Sequence, residues 1–512
     1  MIYILTAPML YTIGDPNHEL GYAVADTTTI RANHLISSPV NKVVVDLLQV
    51  RDDRVAAMIT LEALFIVASL ITGWCIVRIA RELGADIVSA TVMMLWVLLS
   101  NAFWLHATTV ESGAIPTTLL AASVLFAIDS KQSFARSITS GALFALSVLF
   151  NFQHVLLSPA ALLLFRNGGA PVTTKRRNAL IALGAMAFVG LLAYGVVAWP
   201  ASGVRSLSEF ITWITTNSEQ KYISHLSIGF DSILRSISGL ISLTINTHGG
   251  TSAVKVLMQR RPDVASGIGV MIYLGVGLVC TAVLCLLAWI GRREQRAFAL
   301  AAFVAFLITL LFGMYWLGSD PQFWLPLVPF IAPLAAVGLS AIRKRSPKVI
   351  GIAGAVLCLA FIIINAPIHE PSIVASKGDA VNAHAMSAAA ELPKGTLLIT
   401  PGSRWSAVLT TLRTDIDAID LVRDSTHGLG TDSLTSLAAI DASVSRALAS
   451  NRNVVVEGID GSIPLEQVGN WEIISNVRMV SREDIREGLQ RKFSLHSIPA
   501  TSGVRITSIR AR

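Results

Sequence analysis

Along residues 1–366, apolar runs alternate with short polar links, and beyond them the pattern changes to shorter, mixed segments. A helix that crosses a bilayer needs roughly 20 apolar residues. Runs at 55–77, 87–105, 112–128, 178–200, 265–290, 297–316, 323–341 and 349–366 meet or approach that length. The stretch 137–165 is one apolar run interrupted by Asn151-Phe152-Gln153-His154, compatible with one long helix or with a hairpin of two short arms. Met1 to Ile13 is apolar but too short for a full span, and it has neither the basic start nor the cleavage site of a signal peptide. Counted as a first span with the amino terminus inside, it brings the expected crossings to eleven.

The distribution of charge sets the orientation. The links 78–86, 129–136, 166–177, 291–296 and 342–348 each carry at least two basic residues, whereas 101–111, 151–154 and 317–322 carry no Lys or Arg. Basic links belong on the cytoplasmic side, and only a hairpin at 137–165 keeps both of its basic flanks there. Three longer pieces then lie outside: 14–54, 201–264 and the tail from 367.

Composition agrees with this reading and removes others. The 512 residues are 53% hydrophobic and 14% charged, with mean hydropathy +0.62, too apolar for a soluble globule of this length. The net charge of +7 resides largely in links beside apolar spans, so no nucleic-acid partner is needed to explain it. Cys75, Cys280, Cys285 and Cys358 all fall in apolar stretches, which leaves no disulfide framework and no cysteine zinc site. No Asn-x-Ser/Thr acceptor occurs, in keeping with a bacterial cytoplasmic membrane.

The tail alternates strand-like runs, Thr396–Thr400, Asn453–Glu457 and Trp471–Ser475, with helix-like ones at 405–413, 431–450 and 482–491. The expected architecture is therefore a mainly α multi-pass helical bundle over 1–366 with an extracytoplasmic α/β domain over 367–512. Within 201–264, Leu207, Phe210, Ile211 and Ile214 recur at helical spacing, as in a helix lying in the interface plane or packed on protein.

Candidate chemistry gathers at the outside mouths. The first loop opens Gly14-Asp15-Pro16-Asn17-His18-Glu19, and a carboxylate there can take the proton from an attacking hydroxyl if it comes within about 3 Å of it. Gly-Asp-Pro is also ordinary turn chemistry. His34 follows in the same loop, Trp104 and His106 end the third span, Glu111 starts the return helix, and His154 sits at the hairpin tip. Asp320 precedes Pro321 and reads alternatively as a turn residue; Trp104 by itself reads first as an interfacial belt residue. Glu62 lies about two turns into its helix, where a buried hydrogen-bonding role is the default.

This placement resembles the GT-C superfamily, multi-pass glycosyltransferases that use sugars linked to a polyprenyl phosphate, including protein O-mannosyltransferase-like and lipopolysaccharide-modifying members. The likeness covers about residues 1–366 and rests on the Gly14-Asp15 loop with Glu19 close behind, Asn33-His34-Leu35, the turn from Phe103-Trp104 to Glu111, and Asp320-Pro321 to Pro326. It implies transfer of a sugar from a polyprenyl-phosphate donor to a glycan, lipid or protein acceptor by an inverting displacement, with a loop carboxylate as base. Asp15-Pro16-Asn17-His18-Glu19 replaces the adjacent Asp-Glu pair of the family, which leaves both Asp15 and Glu19 as candidates for that base. His18, His34, Trp104, His106, Glu111, His154 and Asp320 are then expected around the substrates, and Arg31, Lys42, Lys221 and Arg235 are candidates for the donor phosphate. A divalent cation near Asp15 and Glu111 is chemically compatible, but oxygen ligands alone do not diagnose one. A transporter or flippase of lipid-linked material, or a non-catalytic membrane scaffold, are the rival readings.

Overall fold

Asp53 and Gly84 bracket a long apolar helix whose two ends carry different chemistry. The Asp53 carboxylate accepts from Ala56 N at 3.0 Å, and Gly84, at φ +88°, closes the other end in a conformation that costs a glycine nothing. The structure is a computed structural model and describes residues 23–24, 34–51, 53–109, 113–128, 133–166, 171–199, 206–210, 229–245, 264–315, 318, 320–346, 354, 358–359, 361–362, 365, 390–400, 409, 415–420, 437–457, 459, 482–498 and 506–511.

After α1 (Ser37–Leu47) come α2 (Arg54–Glu82), α3 (Ile87–Leu99), α4 (Asn101–Thr108), α5 (Ala114–Ile128) and α6 (Phe134–Phe150). A 3-10 turn, Phe152–Leu157, leads into α7 (Ser158–Leu164), and α8 (Val172–Leu192) runs on into a π-helical turn, Ala193–Ala198. Then follow α9 (Phe230–Thr244), α10 (Val264–Gly291), α11 (Arg296–Tyr315), a second 3-10 turn, Pro321–Leu327, and α12 (Val328–Arg343).

Among the described residues, four helices are long and apolar enough to cross a membrane, and five if α3 and α4 count together. The expected straight span 87–105 is in fact this pair, bent by 62° at Ser100. Five of the expected spans, 55–77, 112–128, 265–290, 297–316 and 323–341, appear as helices of closely matching bounds, α2, α5, α10, α11 and the second 3-10 turn with α12, and 178–200 appears as α8 with its π turn. The run 137–165 breaks at Asn151, whose carboxamide oxygen accepts from Gln153 N and starts the 3-10 turn. Its arms diverge, α6 packing on α5 and α8 while α7 packs on α11. Met1 to Ile13 and most of 349–366 lie outside the described residues, as do Ile211 and Ile214.

Close approaches hold the bundle together. Gly291 of α10 and Gly338 of α12 meet at a helix crossing where a Cβ on either would overlap a backbone carbonyl of the other helix, Leu334 O or Leu287 O. Thr118 donates to Ala68 O at 2.7 Å, and Ser123 to Ser140 O at 2.8 Å, tying α5 to α2 and α6. Such hydroxyl bridges let helices associate where apolar burial from water supplies no drive. Phe103, Trp104, Phe144, Phe298, Trp324 and Phe330 are fully enclosed in the core.

Helix α9 is inverted in character. Ser232, Ser236, Ser238 and Ser242 face inward, while Phe230, Ile233 and Ile237 are exposed. Part of the stretch 201–264 therefore packs into the bundle, burying these serines together with Ile241 and Leu243 near its end.

The tail contains a five-stranded sheet ordered β2-β1-β3-β5-β4, built from β1 (Leu397–Thr400), β2 (Asp417–Asp420), β3 (Val454–Glu457), β4 (Phe493–Ile498) and β5 (Ile506–Ala511). β2, β1 and β3 are parallel, and β5 runs antiparallel to both β3 and β4. Ile440 and Val444 of α13 (Leu437–Ala449) and Ile485 and Leu489 of α14 (Arg482–Lys492) form one apolar cluster with Ile399, Val454 and Val456 of the sheet. The strand-like run Trp471–Ser475 lies outside the described residues.

Candidate functional site at one end of the bundle

The links sort into two ends. At one end Gln295 donates to Leu83 O at 2.9 Å, Asp86 N donates to the Ser340 hydroxyl at 3.1 Å, and Arg343 pairs with the Asp86 carboxylate. Three basic links, 78–86, 291–296 and 342–348, are thus brought together.

At the other end the second 3-10 turn is the meeting point. Asp320 caps it by accepting from Gln322 N at 2.9 Å, and Trp324 donates its indole N–H to Gly318 O at 3.0 Å. Gly113 lies between this turn and α4: a Cβ there would come 2.8 Å from His106 Nδ1 and 2.9 Å from Leu325 Cδ1. Gln153, Leu157, Phe323 and Pro326 line a small shared cavity of about 10 Å³. The mouths carrying His106 and Gly113, residues 151–157, and Gly318 with residues 320–327 therefore converge.

His34 and His154 add a fourth segment. His34 Nδ1 lies 2.8 Å from Phe150 O, at the last residue of α6. His154 is buried in the 3-10 turn, and its Nδ1 bonds back across the break at Asn151 to the Ser147 hydroxyl of α6. The Ser147 hydroxyl donates its own hydrogen to Pro116 O at 2.9 Å. It can therefore only accept from His154, which sets the proton on Nδ1 and leaves Nε2 as an acceptor.

The bend at Ser100 is part of the same construction. Interrupting a helix strands backbone carbonyls that must find donors, and Asn365 supplies one, donating to Leu99 O at 2.8 Å and to Thr244 O at 3.1 Å. Asn101, on the far side of the bend, donates to Ser242 O at 2.7 Å. Neither asparagine stands out in the sequence as a candidate, although an Asn within the apolar run 349–366 requires a partner and in that sense announces itself.

One expectation is corrected by burial. Trp104 is fully enclosed, so it is a core residue, not one of an interfacial belt. Asp320 acts as a turn cap, and Lys42 pairs with Asp46 at 3.3 Å one turn along α1. Glu62 is buried, and its Oε1 finds no hydrogen bond among the described residues. Arg235 is half-buried on α9. Asp15, His18, Glu19, Arg31, Glu111 and Lys221 lie outside the described residues. Asp15 and Glu111 are the pair considered for a divalent cation; among the described residues no group of three or more His, Cys, Asp or Glu stands together as a metal site.

No family model matches the sequence. No curated protein matches it either. Solved structures do resemble it. ArnT from Cupriavidus metallidurans bound to undecaprenyl phosphate superposes with a TM-score of 0.60 at 12% identity, over 99% of this chain and 96% of that one. The apo form of the same protein gives 0.59, with 99% and 95% covered. The Archaeoglobus fulgidus oligosaccharyltransferase in complex with Zn and sulfate gives 0.53 at 11% identity, over 100% of this chain and 72% of that one. The bent α3–α4 pair, the convergent mouths and the sheet-containing tail belong to a molecule that shares its fold with these structures, the fold expected from the GT-C resemblance.

Proposed function

We propose that the chain transfers a sugar from a polyprenyl-phosphate-linked donor to an acceptor outside the cytoplasm, at the end of the bundle where His34, His106, His154 and Asp320 gather. The observation that carries this reading is the convergence of two other loop mouths on the second 3-10 turn, opposite the end where basic links collect. Basic links face the cytoplasm, so the convergent end faces outward, as in a protein of the bacterial cytoplasmic membrane. The fold likeness supports the donor class, since ArnT was crystallised with undecaprenyl phosphate.

In the proposed reaction a carboxylate of the first loop, Asp15 or Glu19, takes the proton from the acceptor hydroxyl. The hydroxyl oxygen attacks the anomeric carbon from the face opposite the phosphate, the bond from that carbon to the phosphate oxygen breaks, and the lipid phosphate leaves with the electron pair. The configuration inverts. Charge growing on the leaving oxygen calls for cationic partners, for which Arg31, Lys42, Lys221 and Arg235 are the candidates. His154 Nε2 and the His106 ring supply polar positions for sugar hydroxyls.

The test is sugar transfer in reconstituted vesicles with separate Asp15→Asn and Glu19→Gln variants. Loss of one general base lowers turnover by about 100-fold or more, so one of the two should fall that far. Wild-type rates in both would remove the proposed base. Movement of lipid-linked sugar across the vesicle without any new glycosidic bond would point instead to a transporter.

A further inference from the structure

At the basic end, α10 and α11 are joined by only four residues, 292–295, yet they do not lie along each other. α10 is locked onto α12 through the Gly291–Gly338 crossing, while α11 packs on α7 and α9. The divergence leaves a cleft of about 980 Å³ whose walls include Trp289, Ala299, Leu300, Phe303, Phe306 and Ile331. Phe303 is 61% exposed and Trp289 53%, so large apolar faces line an open groove.

The rim is charged. Arg292, Arg293 and Arg296 all border the cleft, and the Arg292 guanidinium lies over the Trp289 ring. Unlike Arg343, which is engaged by Asp86, none of the three forms an ion pair among the described residues. Glu294 is the one carboxylate in the link, so three guanidiniums face a single negative charge.

Depth decides the occupant. From Arg296 to Phe306 is ten residues of helix, about 15 Å, which is half the roughly 30 Å hydrocarbon thickness of a bilayer. A groove one leaflet deep, apolar inside and ringed by arginine at its mouth, matches a phosphate headgroup with an acyl chain beneath it. We infer that the α10–α11 cleft binds an anionic glycerophospholipid, its phosphate held by Arg292, Arg293 and Arg296 and one acyl chain laid against Leu300 and Phe303. The site lies at the end opposite the convergent mouths, and its binding is independent of sugar transfer.

The experiment uses the full chain in nanodiscs of mixed phosphatidylglycerol and phosphatidylcholine, released for native mass spectrometry. The wild type should retain phosphatidylglycerol in preference to phosphatidylcholine. A triple Arg292→Gln, Arg293→Gln, Arg296→Gln variant should lose about tenfold or more of that retention, and the corresponding triple lysine variant should keep most of it. Ala299→Trp, which fills the wall and leaves every charge in place, should also lower retention. Thermal unfolding in phosphatidylcholine alone should be unchanged in the Gln and Lys variants, which separates lost binding from lost fold. Equal retention by the wild type and the triple Gln variant overturns the inference, as does full retention by Ala299→Trp. So does a cleft that proves to be covered by a second copy of the chain in zwitterionic lipid.

Discussion

Asp86 and Arg343 stand 257 residues apart in sequence and form an ion pair that fastens the start of α3 to the end of α12. Partial burial alone would raise the Asp86 pKa. Hydrogen bonds from Ser89 and Ser340 and the Arg343 charge outweigh it, lowering the carboxyl from 3.8 to about 2. A group depressed in the folded state contributes stability above its unfolded pKa and loses it as pH falls toward the folded value. Asp86→Asn should therefore cost about 1–2 kcal/mol at neutral pH, after allowance for solvent screening. The gap between wild type and variant should close as pH drops from 4 toward 2. Thermal unfolding in detergent across that range reads it directly. Asn can still cap α3, so Asp86→Ala, which also removes the bonds to Val88 N and Ser89 N, should cost about 1 kcal/mol more.

The glycine crossing admits a sharp comparison. Gly338→Ala drives a methyl group into the Leu287 carbonyl and should destabilise by about 1–3 kcal/mol, as overpacked contacts do. Gly184 on α8 has open space around the equivalent position, so Gly184→Ala should be neutral or raise stability by up to about 1 kcal/mol. Equal melting temperatures for the two variants would show that the α10–α12 approach is looser than described.

Asn365 serves two carbonyls that the fold leaves without helical partners. Asn365→Leu keeps the volume and removes both donors, which should cost about 1–3 kcal/mol. Because Leu99 O sits at the bend that aims α4 toward the convergent mouths, sugar transfer should fall more than stability alone explains. A variant with a lowered melting point and a wild-type rate at permissive temperature would detach Asn365 from the site.

Ser147 fixes the ring of His154. Ser147→Ala removes the acceptor for His154 Nδ1–H and should destabilise by about 1–3 kcal/mol, the cost of a buried polar group left unpaired. Ser147→Thr retains the hydroxyl and should recover most of that loss. Calorimetry of the three proteins is sufficient.

What the chain announces and what it hides follow from physics. α2, α10 and α11 are legible because length and hydropathy alone define a long apolar helix. The bend at Ser100 is not, because Val97 to Leu105 stays mainly apolar and offers neither proline nor glycine to mark a break. α9 escapes notice since much of its buried face is serine, and hydropathy assigns serine to water. In the tail, β1, β3, α13 and α14 follow their apolar patterns, while β2, β4 and β5 are too polar to declare themselves. Among the site residues, His106, His154 and Asp320 were visible as polar groups at loop mouths. Nothing local could reveal that His34 reaches the carboxyl end of α6, because that contact spans 116 residues.

The serine face of α9 also constrains biogenesis. Its inward contacts come from both directions along the chain: Asn101 precedes it, while Gly318, whose backbone packs on Gly239, follows it. A nascent chain that has reached only the end of α9 already holds Asn101 but still lacks the backbone that packs on Gly239. The packing of α9 is therefore completed only once Gly318 has emerged, which makes its full docking a late step of assembly.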